Sequence, residues 1–174
     1  YRKWGLAIAR SHVVSSRDVL EAALRDRPEG TVYGSLSGTS YPLGYEDELR
    51  YGRDADFFEQ GDEFVFLGTI DWDGDDQDKF EAAMRQRKRR IHVANPDVVS
   101  PQASGFSTEP GYWAMRAMKN TGVPVSWYGK PYAASLEMAF SRLKAVTGQR
   151  FEKSRVAMVG DSLHTDIIGG SAFG

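Results

Sequence analysis

The chain has 174 residues, 24 acidic and 22 basic, for a formal net charge of −2; hydrophobic residues make up 41% and charged ones 26%. That composition is that of a soluble globular protein with a core large enough to fold without staples, and it excludes a disordered tail. The balanced charge argues against a dedicated nucleic-acid binder, no apolar run nears the ~20 residues of a membrane helix, and zero cysteines exclude disulfides, a thiolate nucleophile and cysteine-ligated metal.

Alternating strand and helix signals predict an α/β fold with a largely parallel sheet. Val13-Val14 precedes Ser15, which forms a capping-box pattern with Asp18 and opens a helix carrying Val19, Leu20, Ala23 and Leu24 on one face. That helix stops before Pro28, and Thr31 to Tyr33 reads as a strand. Residues 34–62 show little periodicity and read as a long loop or irregular insertion. Its tyrosines Tyr41, Tyr45 and Tyr51, with Tyr33 before them, could line a pocket or pack; packing is the preferred reading. Glu63 to Ile70 is a buried strand, because Phe64 to Leu67 is continuously apolar, and it ends at the acidic turn Asp71 to Asp75.

A helix follows from about Gln77 to Arg89, with acids at its start and bases at its end, as the helix dipole favours. The basic run is accordingly read as a solvated terminus and the acidic turn as its cap. Ile91 to Ala94 is a strand ending at Asn95-Pro96-Asp97, and residues 98–107 look like a linker. Thr108 can cap a helix with Trp113, Ala114, Ala117 and Met118 on one face, ended by Gly122. Val123 to Tyr128 is a strand leading into Gly129-Lys130-Pro131, and the next helix is expected to bury Ala133, Leu136, Phe140 and Leu143. Arg155 to Val159 looks like a central strand that delivers Gly160-Asp161-Ser162 at its carboxyl end, where open α/β sheets bind ligands.

Gly129-Lys130-Pro131 is no P-loop, since prolines stand at 124 and 131 where that motif needs Gly and Ser or Thr. A lysine fixed between Gly and Pro after a strand is nevertheless a point charge for an anion. Asp161 and Asp166 beside it would make a hard-oxygen site of the kind Mg²⁺ takes, with the bland alternative that Asp161 caps a helix. The acidic turn does not fit a calcium loop, which needs Gly at its sixth and Glu at its twelfth position, where Asp76 and Ala82 stand. His12 and His92, without ligand-spaced partners, read as structural, and His164 takes no acid or base role.

Gly129-Lys130-Pro131 followed by Gly160-Asp161-Ser162-Leu163-His164-Thr165-Asp166 resembles the third and fourth motifs of the haloacid dehalogenase (HAD) superfamily, in the spelling of its subfamily IIA phosphatases. The resemblance implies a partial Rossmann-like core with a parallel sheet and an inserted α/β cap of the C2 type. The expected division is residues 1–12 as core, 13–99 as cap and 100–174 as the C-terminal core portion. It further implies Mg²⁺-dependent phosphomonoester hydrolysis through an aspartyl-phosphate. Lys130 would be catalytic and bind the substrate phosphate, Asp161 and Asp166 would serve the metal, and Ser162 and Asn95 would help bind substrate.

The expected partner is a small phosphorylated metabolite, with no nucleic acid and no membrane; a homo-oligomer is allowed, and the setting expected is cytoplasmic. The superfamily's Asp-x-Asp nucleophile is not found before residue 13, and both ends look cut, so the chain reads as a fragment with little activity of its own. Asp71-Trp72-Asp73-Gly74 offers an alternative nucleophile motif for a capless phosphatase, and a non-catalytic phospho-ligand or protein-binding module on the same fold is the other alternative.

Overall fold

In the computed structural model the residues described are 3, 5–37 and 42–174; Tyr41 and its expected packing lie outside them. Helix α1 (Ser16–Ala23) opens with the expected capping box: Ser15 Oγ accepts from the Asp18 N–H, and the Asp18 carboxylate accepts from the Ser15 N–H at 2.7 Å. Such a cap contributes about 1 kcal/mol. Strands β1 (Tyr33–Leu36), β2 (Leu49–Arg50), β3 (Glu63–Phe66), β4 (Ile91–Val93) and β7 (Val125–Trp127) form one parallel sheet in the order β2-β1-β3-β4-β7. Between the last two lies an antiparallel hairpin, β5 (Val99–Gln102) and β6 (Gly105–Thr108), where a linker was expected.

Strands β1, β3 and β4 are buried on both faces, which explains the unbroken apolar run of β3. Phe64, Phe66, Ile91 and Val93 point to one side, against helices α2 (Phe57–Gln60), α3 (Gly74–Gln86) and α4 (Pro110–Thr121). Val65 and Ala94 point to the other, against Leu20 and Leu24 of α1. At the centre of the first side Phe80 meets Phe64 edge-on at 4.9 Å, with Phe66 and Trp72 also around it. Two buried polar side chains within this core are partnered: Trp72 Nε1 donates to Gln77 Oε1 at 2.9 Å, and Gln77 Nε2 donates to Glu81 at 3.0 Å, whereas the buried Trp113 Nε1 has no hydrogen-bond partner among the described residues. Arg116 and Asn120 of α4 bind the same buried Glu81 and so tie α4 to α3.

The described part of residues 34–62 holds more order than the sequence suggested. Gly34 sits on β1 because a side chain there would lie 2.7 Å from the Phe64 ring. Ser35 donates to the buried Glu48, whose carboxylate also accepts the N–H groups of Leu43 and Gly44, each at 3.0 Å, fixing the loop before β2. Asp73 caps α3 by accepting from the N–H groups of Asp75 and Asp76, so the acidic turn is the helix cap it was read to be. Helix α4 starts from Glu109 with Pro110 in its first turn, rather than from Thr108, and ends on Gly122 at φ 69°.

Two differences concern the last third. Strand β7 pairs with β4 and so closes one edge of the sheet that also holds β1, β2 and β3. Helix α5 (Ala133–Thr147) leaves Ala133 exposed and Leu136, Phe140 and Leu143 only half-buried. The segment expected as a central strand, Arg155 to Val159, pairs with no strand among the described residues, and Val159 is 90% exposed. Apolarity states what a strand needs around it; here no described strand lies alongside to supply it. A cavity of about 560 Å³ is lined by Leu136 and Leu143 of α5, by Met158 and by helix α6 (Ile168–Phe173), whose Phe173 meets Phe140 edge-on at 5.9 Å. No described helix is long and apolar enough to cross a membrane.

Candidate active site

Three stretches distant in sequence meet where α1 begins, where β4 ends and where β7 ends. Ser15 and Ser16, Asn95 to Asp97, and Gly129 with Lys130 line one side of a cavity of about 500 Å³. Close backbone approach makes this possible. A side chain at Gly129 would come within 2.3 Å of the Pro96 ring and 2.9 Å of the Ala94 carbonyl oxygen. One at Gly111, in the first turn of α4, would come within 2.0 Å of the Pro96 carbonyl. The Lys130-Pro131 peptide is cis.

Lys130 Nζ donates to Asp166 Oδ1, joining the two motifs that the sequence separates by 36 residues. Asp166 is only 3% exposed, whereas the Lys130 side chain is 47% exposed, so the ammonium keeps an open side. The lysine hydrogen bond holds the Asp166 carboxyl below the usual carboxylate range, and the Ser162 N–H at 3.3 Å assists against the cost of burial. Asp166 reaches back from a single π-helical turn, Leu163–Ile167. Gly160 leaves room for it, because a Cβ there would sit 2.2 Å from the Asp166 carboxyl carbon.

The remaining predicted residues are placed less uniformly. Asp161 is exposed, with only the Ser162 hydroxyl leaning on its carboxylate at 3.4 Å. Asp166, expected at the metal, has its two carboxylate oxygens on protein donors, Lys130 and the Ser162 N–H. Asn95 lines the cavity, but its amide donates to Glu109 at 3.3 Å and its oxygen accepts from the Asp97 N–H at 3.1 Å, so it holds its own turn. Asp71 follows β3 and Lys130 follows β7, with β4 between them, and Asp73 is spent as a cap. This placement sets the Asp71 motif apart from the lysine.

His12 and His164 are exposed. Buried His92 bridges Glu63 (2.6 Å) and the Tyr128 hydroxyl (2.8 Å), next to the Gly129-Lys130 turn. No sequence signal marks this bridge, because Glu63 opens β3 and Tyr128 follows β7. Among the described residues no three His, Asp or Glu side chains gather as a metal cage. One exposed carboxylate, Asp161, nonetheless suits Mg²⁺, which takes one or two protein carboxylates and completes its shell with water and phosphate oxygens.

The chain is similar to known proteins in both sequence and fold. Residues 127–174 match the HAD-hydrolase-like family model. The acid sugar phosphatase of Staphylococcus haemolyticus is 36% identical over 88 residues, 51% of this chain and 31% of that protein. The crystal structure of a possible sugar phosphatase of the HAD superfamily from Cytophaga hutchinsonii superposes with a TM-score of 0.80 at 25% identity, covering 100% of this chain and 63% of that one. A haloacid dehalogenase-like hydrolase from Brucella suis gives 0.77 at 23% identity, covering 93% and 61%. The chain thus spans less than a third of the curated relative and under two thirds of either structure.

Proposed function

With the fold and the C-terminal signature of the haloacid dehalogenase superfamily as premise, we propose that this chain forms part of a Mg²⁺-dependent phosphomonoester hydrolase acting on a small phosphorylated metabolite through an aspartyl-phosphate. The observation that carries the reading is the Lys130–Asp166 pair, half open to the cavity at the carboxyl ends of β4 and β7. Phosphoryl transfer asks mainly for positioning and neutralisation of charge.

Lys130 would hold the phosphoryl group and offset its charge, while Asp166 and Gly160 fix where the ammonium stands. Asp161 would offer its free carboxylate to Mg²⁺, which supplies further neutralisation of phosphate oxygens. The nucleophilic carboxylate is proposed to lie outside residues 1–174, in keeping with the 61–63% of the similar structures that this chain covers. A cytoplasmic setting completes the reading.

The test is hydrolysis of an aryl phosphate. A longer chain that supplies an Asp-x-Asp motif should hydrolyse it with Mg²⁺ and lose nearly all activity on Lys130→Ala, whereas residues 1–174 alone should show little. Strong hydrolysis by residues 1–174, abolished by Asp71→Asn, would overturn the proposal in favour of a self-sufficient enzyme.

A further inference from the structure

The five-stranded sheet has a topological switch of its own, away from Lys130. From β1 the chain runs outward to β2 over the α1 side, where Leu43 and Tyr45 of that connection pack with Leu20 and Tyr33. From β3 it runs the opposite way, through α3 to β4, over the other side, where Phe80 and Met84 pack. The connections leaving β1 and β3 therefore part to opposite faces. In open α/β sheets such a parting leaves a crevice at the carboxyl ends of the two strands, and ligands bind there.

A crevice is present at that point. Leu36 at the end of β1, Arg50 to Arg53 after β2 and Gly68 to Trp72 after β3 enclose about 500 Å³. Leu67 and Gly68 still donate to the Leu36 carbonyl, at 2.9 and 3.0 Å, before the chains part. Its charges are unequal in their commitments. Arg53 is paired with Asp54 at 2.9 Å, while the Arg50 guanidinium donates no hydrogen bond among the described residues. Asp71 also lines the crevice, at the exposed end of β3's connection.

One wall is aromatic: Tyr51 meets the buried Trp72 edge-on at 4.7 Å. Ile70, 87% exposed, stands at the rim without packing of its own. β7, which carries Lys130, lies two strands beyond β3, about 10 Å along the sheet at the usual strand spacing.

We propose that this crevice is a second ligand site, in which Arg50 holds the carboxylate or phosphate head of a small organic anion whose apolar body lies against Ile70 and the Tyr51–Trp72 wall. A guanidinium with its fork uncommitted, in a concave apolar setting, forms short paired bonds with just such heads. The site stands independently of the phosphatase reading, since no residue of it belongs to the Lys130 cavity.

The Trp72 indole N–H, fixed on Gln77, is the reporter. Residues 1–174 are titrated with phenyl phosphate, benzoate and inorganic phosphate while the Trp72 indole resonance is followed by NMR. Phenyl phosphate or benzoate is expected to shift it saturably, with inorganic phosphate weaker; the tighter of the two aryl probes identifies the head. Arg50→Ala should weaken binding about tenfold, the worth of a charge-assisted pair, while Arg50→Lys, which keeps the charge but loses the fork, should fall between the parent and Arg50→Ala.

Lys130→Ala should leave the titration unchanged. The proposal fails if no probe gives a saturable shift, if Arg50→Ala binds as the parent does, or if Lys130→Ala removes the shift. Inorganic phosphate binding as tightly as phenyl phosphate would remove the role given to the apolar wall. None of these outcomes touches the aryl phosphatase test at Lys130.

Discussion

Replacing Lys130 by Met tests the pair at the centre of the candidate site, because its two members sit in unequal surroundings. Asp166 is 3% exposed and would keep only the Ser162 N–H at 3.3 Å, so its ionised carboxyl would lose its main partner while staying out of water. Breaking a fully buried pair from one side costs about 3–5 kcal/mol. Here the lysine side chain is 47% exposed and solvent screens the pair, so the expected loss is about 1–2 kcal/mol. For a chain of this size that lowers the melting temperature by roughly 3–6 °C.

Asp166→Asn should cost less, about 1 kcal/mol, since the abandoned ammonium can be hydrated. The pH dependence has a definite sign. The folded-state pKa of Asp166 is depressed by Lys130, so its contribution is present above the unfolded value near 4 and is lost as pH falls through the folded value. The deficit of Lys130→Met relative to the parent should therefore be full at pH 7 and shrink below about pH 4. Urea unfolding at several pH values and an NMR titration of the Asp166 carboxyl read both quantities. Equal stability at pH 7, or an Asp166 carboxyl that titrates alike with and without the lysine, would refute the reasoning.

Burial holds the His92 pKa below 6.5, against the opposing pull of Glu63, so its stabilisation should be complete above about pH 6.5 and fade as pH falls below it; His92→Gln should flatten that step in urea unfolding. Phe80→Ala, at the centre of the aromatic cluster, is expected to cost about 3–5 kcal/mol by calorimetry or denaturant titration. Gly160→Ala should push Asp166 off Lys130, and its Asp166 carboxyl should titrate closer to an ordinary aspartate while the sheet's amide resonances stay in place. Ser15→Ala should remove about 1 kcal/mol, with hydrogen exchange accelerated in the first turn of α1 alone.

What the sequence disclosed is what local chemistry decides. Ser15 and Asp18 are three residues apart and cap a helix wherever they fall at its start, and Phe64 to Phe66 can only be an interior strand. The hairpin at 99–108 escaped because Val99 and Phe106 are exposed and no alternation of polarity marks it. β1 is legible only as far as Tyr33, because Gly34 and Ser35 are buried for reasons that lie elsewhere, in the Phe64 ring and the Glu48 carboxylate. Arg155 to Val159 erred the other way, since its apolarity shows a demand for neighbours rather than their presence.

The candidate site divides along the same line. Lys130, Asp161 and Asp166 stand in short motifs and were legible, although the preference of Asp166 for the lysine depends on the turn geometry allowed by Gly160. Arg50 belongs to no motif. Its setting follows from strand order, which residues adjacent in sequence do not encode.

Pro96 is gripped between two backbones, that of Gly111 and that of Gly129. One pyrrolidine ring and its carbonyl thus act as the spacer between the start of α4 and the turn that presents Lys130. Neither flank accepts even a methyl group, so the height of the lysine above the sheet is set by a gauge made of main chain. Retuning its reach by design must begin beyond that gauge, at the exposed Ala133 and Ala134 where the chain enters α5.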